Sequence, residues 1–303
     1  MKTTLKTTYS KTFGHSRDEA EDPWAGRAKK LEKEKPAKKA AAPAKRDEED
    51  PPWLKTISSL ATEKGREKEG LFLAEGERVV LEIAGHHRDL VQGIYVDEGF
   101  DNEELREKIK EARLRIHALT PPQMKQASSV VSCPGIFAVC RLASEKPNYD
   151  TARIITLVDG IQDPGNLGSI FRNATGFGIC GIILGRGTVD PFNPKVVRGS
   201  SGCFLRTPFE TGIDLKERFS LLRQKGFCIV ATSPHAKKSI TELTPRQAKK
   251  VAILIGNEGS GTNKQVSELA DEWVKIPMEN TLESLNVAVA HGILCYQIAQ
   301  MRG

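Results

Sequence analysis

The sequence has no uninterrupted apolar stretch of the roughly 18 residues that a membrane-spanning helix needs. Its first residues, MKTTLKTTYSK, lack the apolar centre of a secretory signal. The six cysteines form no C-x-x-C pair and have no histidine pair nearby, which is typical of reduced, buried thiols and not of a metal site. We therefore expect a cytoplasmic protein without a metal or a membrane partner. An organelle address stays open, because the first 17 residues are basic and contain no acid.

Two phosphate-binding patterns are also missing. No G-x-G-x-x-G occurs, and although Gly256 and Gly261 have the spacing of a P-loop, Thr262 and Asn263 follow where that loop needs Lys and then Ser or Thr. Glu258, in the middle of this loop, would repel phosphates. These absences argue against a nucleotide hydrolase and favour a ligand that carries hydroxyls or positive charge.

The 303 residues, 39% of them hydrophobic, are sufficient for two domains, and the net charge of +6 suggests a polyanionic partner. The segment from Pro23 to Arg46 carries nine Lys or Arg against two Glu, with Ala and Pro between them. It offers little apolar surface to bury, so residues 1–50 are predicted to be a disordered basic arm. Such an arm could grip RNA phosphates loosely or serve only as a solubilising tail.

Helix and strand periods alternate over residues 51–145, which predicts a small α/β module. The polar stretch from Glu145 to Asp150 is the predicted linker. Residues 151–303 contain five short β-rich runs separated by helical patterns or glycine-rich loops, which predicts a mostly parallel sheet with helices on both faces. The runs are Arg153–Val158, Ile179–Leu184, Phe227–Thr232, Val251–Ile255 and Glu272–Ile276.

Polar residues follow several of these runs, at the strand ends where such sheets bind ligands. Asn166 precedes a helical pattern that also carries Arg172, an amide and a guanidinium near a helix N-terminus. Alone, they could equally be a helix cap and a surface arginine. Ser284 and Asn286 stand where the last helix starts, where they could cap it or point into a site.

The last helix has an apolar stripe that is either core or subunit interface, formed by Leu285, Val289, Ile293 and Tyr296. We interpret His291 in this helix as a packed, hydrogen-bonded histidine. Lys195 and Arg198 lie three apart in a predicted helix after Pro194, where they could contact RNA phosphates or form a solvated basic face.

Three motifs occur in series: N-x-G-x-x-x-R at Asn166, Gly168 and Arg172, G-N-E-G-x-G at Gly256–Gly261, and I-P-M at Ile276–Met278 followed by S-L-N-V-A-V-A at Ser284–Ala290. Together they resemble the SpoU (TrmH-like) family of RNA ribose 2′-O-methyltransferases in the SPOUT superfamily. The resemblance covers nearly all of residues 151–303. Residues 51–145 are similar, more loosely, to the family's ribosomal-protein-like RNA-binding domain.

This resemblance implies a trefoil-knotted catalytic domain in residues 151–303, a homodimer and S-adenosylmethionine as the methyl donor. The implied cofactor contacts are Thr232, Ile255, Gly256, Ile276, Ser284 and Leu285. The implied catalytic residues are Asn166, Arg172, Glu258, Ser284 and Asn286, of which Arg172 also contacts RNA. Because a guanidinium is a poor general base, we expect Arg172 to clamp a phosphate and stabilise the developing alkoxide, with a base role left open.

The RNA itself is not specified by these motifs. A ribosomal-protein-like auxiliary domain favours large-subunit ribosomal RNA, and transfer RNA is the alternative. A knotted RNA-binding or ribosome-assembly factor that does not methylate is a third possibility, against which the intact catalytic-type residues argue.

Overall fold

The computed structural model describes residues 52–130, 132–244, 249–257, 266, 268–279 and 284–301. The predicted basic arm and Glu258 lie outside these residues. None of the helices in the described ranges is both long enough and apolar enough to cross a membrane.

A four-stranded sheet in the order β1-β4-β2-β3 forms the first half of the described chain. Strand β4 runs antiparallel to β1 and β2, while β3 is parallel to β2. Apolar residues of α3 and α4 pack on one face, and those of α1 and α5 pack on the other. The elements are α1 (Pro52–Ser59), α2 (Glu63–Glu69), β1 (Leu71–Glu75), α3 (Glu77–His86), β2 (Val91–Asp97), α4 (Glu103–Glu111), β3 (Ile116–Leu119), α5 (Pro121–Ala127) and β4 (Ile136–Arg141).

A seven-stranded sheet in the order β7-β6-β5-β10-β8-β11-β9 forms the second half, and its strand pairs are parallel. The elements are β5 (Ile154–Asp159), α6 (Pro164–Phe177), β6 (Ile182–Gly185), α7 (Pro194–Gly199), β7 (Phe209–Ile213), α8 (Leu215–Gln224), β8 (Cys228–Thr232), β9 (Lys238–Ser239), β10 (Val251–Gly256), β11 (Glu272–Lys275) and α9 (Val287–Gln300). Short 3-10 turns in the described residues lie at Arg88–Leu90, Cys203–Arg206 and Ile240–Glu242.

Burial on both faces explains why these strands are nearly continuous apolar runs. Within β5, Ile154 and Val158 join the cluster that contains α6 and α9, whereas Ile155 and Leu157 join the cluster that contains α8. The predicted α/β class with a mostly parallel, doubly covered sheet is therefore confirmed.

The strand order reverses beside β5. From β5 the chain builds outward through β6 to β7, and β10, β8, β11 and β9 then fill the other side. Gly256, at the end of β10, is in register with Asp159, at the end of β5. In open parallel sheets the crevice beyond the carboxyl ends at such a reversal is where ligands bind.

The two sheets belong to one compact unit, Glu49–Gly303. The guanidinium of Arg66 binds the carboxylate of Asp190, and that of Arg198 binds Glu75, so ion pairs connect the two halves. The predicted linker is packed against the second sheet, because a Cβ on Gly181 would lie 2.5 Å from the ring of Pro147.

Candidate functional site

Two hydrogen bonds join the loops that follow β5 and β10 and the segment that precedes α9. Nδ2 of Asn286 donates to Oδ1 of Asn166 at 2.9 Å, and Nδ2 of Asn257 donates to the carbonyl of Gly160 at 2.9 Å. Each of the three motifs thus contributes a side-chain amide to the same edge of the sheet. This edge borders the crevice that the reversal of strand order predicts.

The start of α6 presents Asn166 in its first turn. Pro164 is the first helical residue, and the carboxylate of Asp163 caps the helix by accepting from the backbone N–H of Asn166 at 2.8 Å. The interpretation of Asn166 as a residue ahead of the helix, or as its cap, is therefore wrong. Because Asp163 provides the cap, the side chain of Asn166 is available to pair with Asn286.

Asn286 both caps α9 and contacts the first motif. Its Oδ1 accepts from the backbone N–H groups of Ala288 and Val289, at 2.9 and 3.3 Å, while its Nδ2 donates to Asn166. The sequence left capping and pointing into a site as alternatives; the structure shows the cap, and the same side chain also reaches Asn166. Leu285, half-buried, and Ser284, exposed, precede this cap by one and two residues.

The residues expected to hold the cofactor lie at the ends of neighbouring strands. Thr232 ends β8, Ile255 and Gly256 end β10, and Ile276 directly follows β11. Strand β8 lies between β10 and β11, and all three are parallel, so these residues share one edge. Only Ile255 among them is buried, and the others are partly exposed.

The loop after β5 takes its shape from Gly160 and Thr188. Gly160 has φ +70°, in the left-handed region that favours glycine. Its N–H donates to the hydroxyl of Thr188 at 3.2 Å, and that hydroxyl lies 3.3 Å from the carbonyl of Val158. Sequence reasoning missed Thr188. It also assigned no role to Asn257, although Asn257 lies within the G-N-E-G motif.

The motif glycine Gly168 allows α6 and α7 to approach closely. A Cβ at Gly168 would lie 2.8 Å from the backbone of Gly199, at the end of α7. Any side chain there would push the two helices apart, so this motif position is explained by packing and not by ligand contact.

Arg172 does not join the amide cluster. It is the ninth residue of α6, six positions after Asn166, and is exposed. Six residues correspond to about 9 Å of rise and about 240° of rotation along a helix, so the two side chains point in different directions. The expectation that they are presented together at the helix N-terminus is wrong for a single chain.

Lys195 and Arg198, the predicted RNA contacts on α7, have different surroundings. Lys195 is exposed, whereas Nη1 of Arg198 donates to Glu75 at 2.5 Å and to the hydroxyl of Ser129 at 3.2 Å. Glu75 is 1% exposed and also accepts from the backbone N–H of Ser129 at 2.7 Å. The structure gives the Arg198 guanidinium a protein partner, so it does not support the interpretation of Arg198 as an RNA ligand.

His291 is a buried, hydrogen-bonded residue, as the sequence analysis expected. Its Nε2 lies 2.9 Å from the hydroxyl of Thr156 on β5 and 3.2 Å from the sulfur of Cys295. Burial lowers the pKa of His291 to about 3, and burial raises the pKa of Cys295 to about 12. Both groups are therefore neutral at pH 7, and the contact between His291 and Thr156 fastens α9 to the sheet.

Comparison with known proteins agrees with this architecture. The SpoU rRNA Methylase family matches residues 153–296, and the MRM3-like substrate binding domain matches residues 52–138. The 23S rRNA (guanosine(2553)-2′-O)-methyltransferase RlmP of Bacillus subtilis is 31% identical over 245 residues, which cover 81% of this chain and 95% of RlmP.

Two solved structures share the fold. One is an RNA 2′-O ribose methyltransferase, 29% identical with a TM-score of 0.69, over 83% of this chain and 96% of that one. The other is the SpoU methyltransferase AviRb from Streptomyces viridochromogenes in complex with AdoMet, 23% identical with a TM-score of 0.72, over 83% and 99%. The family resemblance carried by the three motifs is thereby confirmed: this chain belongs to the SpoU rRNA methylase family.

Proposed function

We propose that this protein transfers a methyl group from S-adenosylmethionine to a ribose 2′-hydroxyl of large-subunit ribosomal RNA. The observation that carries the proposal is the pairing of Asn166 with Asn286 at the strand-order reversal, in a chain that aligns with 95% of a 23S rRNA 2′-O-methyltransferase. Within this proposal, residues 51–145 bind the RNA and residues 151–303 catalyse methyl transfer.

The chemical character of the edge fits this cofactor. Asn166, Asn257 and Asn286 supply neutral amides, which can pair with hydroxyl, amino and carboxylate groups alike. Backbone at Ile255, Gly256 and Ile276 would hold the adenine and methionine parts. The AdoMet-bound AviRb has the same fold. S-adenosylmethionine supplies an electrophilic methyl group on a positively charged sulfur.

The protein's part in the reaction is alignment and electrostatics. Because Asn286 donates to Asn166, the oxygen of the Asn166 amide faces Asn286. The orientation of Asn286 is fixed in turn by the hydrogen bond that caps α9. Such a preorganised pair can hold a ribose so that its 2′-oxygen meets the methyl carbon in line. In well-oriented model reactions alignment contributes on the order of 7 to 11 kcal/mol. Arg172 keeps its proposed role as a phosphate clamp that stabilises the developing alkoxide. Because it lies away from the amide pair of its own chain, it would act at the site of a second copy of this chain.

A homodimer is part of the proposal. Val289, Ile293 and Tyr296 are exposed on one side of α9, with Val289 and Tyr296 each 53% exposed. They are spaced by four and three residues, so they form a continuous apolar stripe that a second copy of this chain would cover. A trefoil knot in residues 151–303 and a cytoplasmic location are further predictions of the family resemblance and the sequence.

The test is mass spectrometry of ribose methylation in ribosomal and transfer RNA from cells with and without this protein. The proposal requires one 2′-O-methylated nucleotide of large-subunit rRNA to disappear with the gene product and to return with purified protein and S-adenosylmethionine. If ribose methylation is lost only from transfer RNA, the substrate is transfer RNA and not ribosomal RNA. Unchanged methylation, together with no heat of S-adenosylmethionine binding by isothermal titration, would identify a non-catalytic RNA-binding factor.

A further inference from the structure

A row of aromatic rings crosses the four-stranded sheet on the face covered by α1 and α5. Tyr95 on β2 lies beside Phe137 on β4 and His117 on β3. The ring centroids are 5.1 Å apart for Tyr95 and Phe137 and 5.0 Å apart for Tyr95 and His117, with interplanar angles of 14° and 23°. Trp53 of α1 lies 5.6 Å from Tyr95, which makes a four-ring cluster.

The row runs from the core to solvent. Phe137 is buried, Tyr95 is half-buried and His117 is exposed. Strand β3 is the outermost strand of this sheet, so in the described chain no further strand stacks on His117. The stack therefore ends in an exposed ring at the sheet edge.

Core packing accounts for Phe137 and Tyr95 but not for the exposed rings. Trp53 is 39% exposed and is the one large exposed apolar side chain, among the residues that the structure describes, that does not belong to the α9 stripe. Exposed aromatic side chains beside an open stack are the usual platform for unpaired nucleic-acid bases, because every base has a π-face.

The charge on this face complements a phosphate backbone. Helices α1 and α5 contain Lys55 and Lys125 and no acidic residue, whereas α4 on the opposite face contains four glutamates against three Lys or Arg. Arg115 directly precedes β3, and strand alternation places it on the same face as His117. Arg115 is exposed and makes no ion pair with any described residue.

We propose that the Trp53–Tyr95–His117 cluster, with Arg115, binds an unpaired nucleotide of the RNA substrate. The base continues the stack on the open face of His117, and Arg115 contacts a neighbouring phosphate. The inference rests on the proposed function and extends its RNA contacts beyond the methylation site. Because α7 packs near β1 and three strand spacings separate β1 from β3, this contact lies about 14 Å across the sheet from the edge that adjoins the catalytic half.

Photo-crosslinking tests the contact without interference from other RNA-binding surfaces. The full chain is irradiated with a single-stranded RNA decamer that contains 4-thiouridine, or with the same decamer annealed to its complement, and the crosslinked peptides are identified by mass spectrometry. We expect crosslinks on the peptides of Trp53 or His117 with the single strand and not with the duplex. Crosslinks confined to other peptides would overturn the proposal and leave this face to a protein partner.

Matched variants separate ring stacking from other contributions. We expect His117→Ala to weaken binding of an RNA substrate about five-fold or more, as loss of one stacked base predicts. His117→Phe keeps a ring and should restore binding to within about two-fold. Arg115→Ala should weaken binding and lower its salt dependence, whereas Lys108→Ala, the same charge change on the opposite face, should do neither. Equal weakening by Ala and Phe at position 117 would overturn the stacking.

The outcome is distinguishable from failure of the proposed function. His117→Ala should raise the RNA concentration that gives half-maximal turnover and leave S-adenosylmethionine binding unchanged, because only RNA capture is affected. If the wild-type protein methylates RNA and the variants change nothing, the nucleotide contact is wrong and the enzyme assignment stands. If the wild-type protein crosslinks at His117 but methylates no RNA, the nucleotide contact stands and the enzyme assignment is wrong.

Discussion

Asn286 donates to Asn166 across 2.9 Å, which joins residues 120 positions apart at the crevice between β5 and β10. One side chain therefore performs two tasks, since Asn286 also caps α9. Substitutions can separate these tasks because the cap uses the oxygen of the amide and the pairing uses its nitrogen.

We expect Asn286→Asp to preserve folding and to lower methyl transfer at least ten-fold. Aspartate keeps the acceptor for the N–H groups of Ala288 and Val289 but cannot donate to Asn166. Asn286→Ala should also lose about 1 kcal/mol of stability, because the cap is removed. Radiolabelled methyl transfer and thermal unfolding of both variants check this. Wild-type activity in Asn286→Asp would exclude the pairing from catalysis.

Arg172 gives a second prediction. Arg172→Lys keeps the charge but loses the planar fork that binds phosphate in two places, so turnover should fall about 100-fold while S-adenosylmethionine affinity stays constant. Turnover at saturating RNA and isothermal titration measure the two effects. Near-normal methylation would remove Arg172 from the mechanism.

The Glu75–Arg198 pair should matter for stability, and Lys195 on the same helix serves as the control. Arg198→Met leaves the carboxylate of Glu75 buried without its cation, and we expect a loss of about 2 kcal/mol in the free energy of unfolding, less than for a fully buried pair because Arg198 is 26% exposed. Lys195→Met should change stability by at most about 0.5 kcal/mol but weaken RNA binding. Urea unfolding compares the two, and equal stabilities would contradict the role given to Arg198.

The apolar stripe of α9 predicts the oligomeric state. Ile293→Asp or Tyr296→Asp places a charge in the proposed interface, so light scattering should show a mass near the 33.3 kDa of one chain, against twice that value for the wild type. Gln300→Asp, an exposed position at the end of the same helix, is the control. A wild-type protein that is monomeric at micromolar concentration would refute the dimer.

His291 predicts how stability changes with pH. Burial lowers its pKa from 6.5 to about 3, so between these values the unfolded chain binds a proton that the folded chain does not. The free energy of unfolding should therefore fall as the pH drops through this window, by about 1.4 kcal/mol per pH unit. Relative to His291→Gln, the wild type should lose about 2 kcal/mol between about pH 6.5 and pH 5 in urea unfolding. Parallel pH profiles would contradict the assignment.

Much of the fold could be predicted because burial on both faces makes β5, β8 and β10 continuous apolar runs. The strand β7 was missed because FETGI at the sheet edge is not a continuous apolar run, and β9 has only two residues. The charged stretch from Glu103 to Arg115 has a helical pattern, but α4 ends at Glu111 because Arg113 adopts φ +53° and turns the chain.

The candidate site could be predicted only through its motifs. Local spacing contains no information on the pairing of Asn166 with Asn286, or on the buried partner of Arg198, because both depend on how distant elements pack. Thr188 belongs to no motif, and its role follows only from the position of the Gly160 loop beside it. Arg198 and Lys195 are both basic residues of α7, and their tertiary contacts are what distinguishes them.

The ion pairs Arg66–Asp190 and Glu75–Arg198 have a consequence for how a nucleotide is chosen. They attach the first sheet directly to the helices and loops that surround the crevice. The distance between an RNA contact on the first sheet and the crevice is therefore fixed. If the first sheet binds the RNA as proposed, selection of the modified nucleotide depends on its distance along the RNA from the point of attachment as well as on its own base.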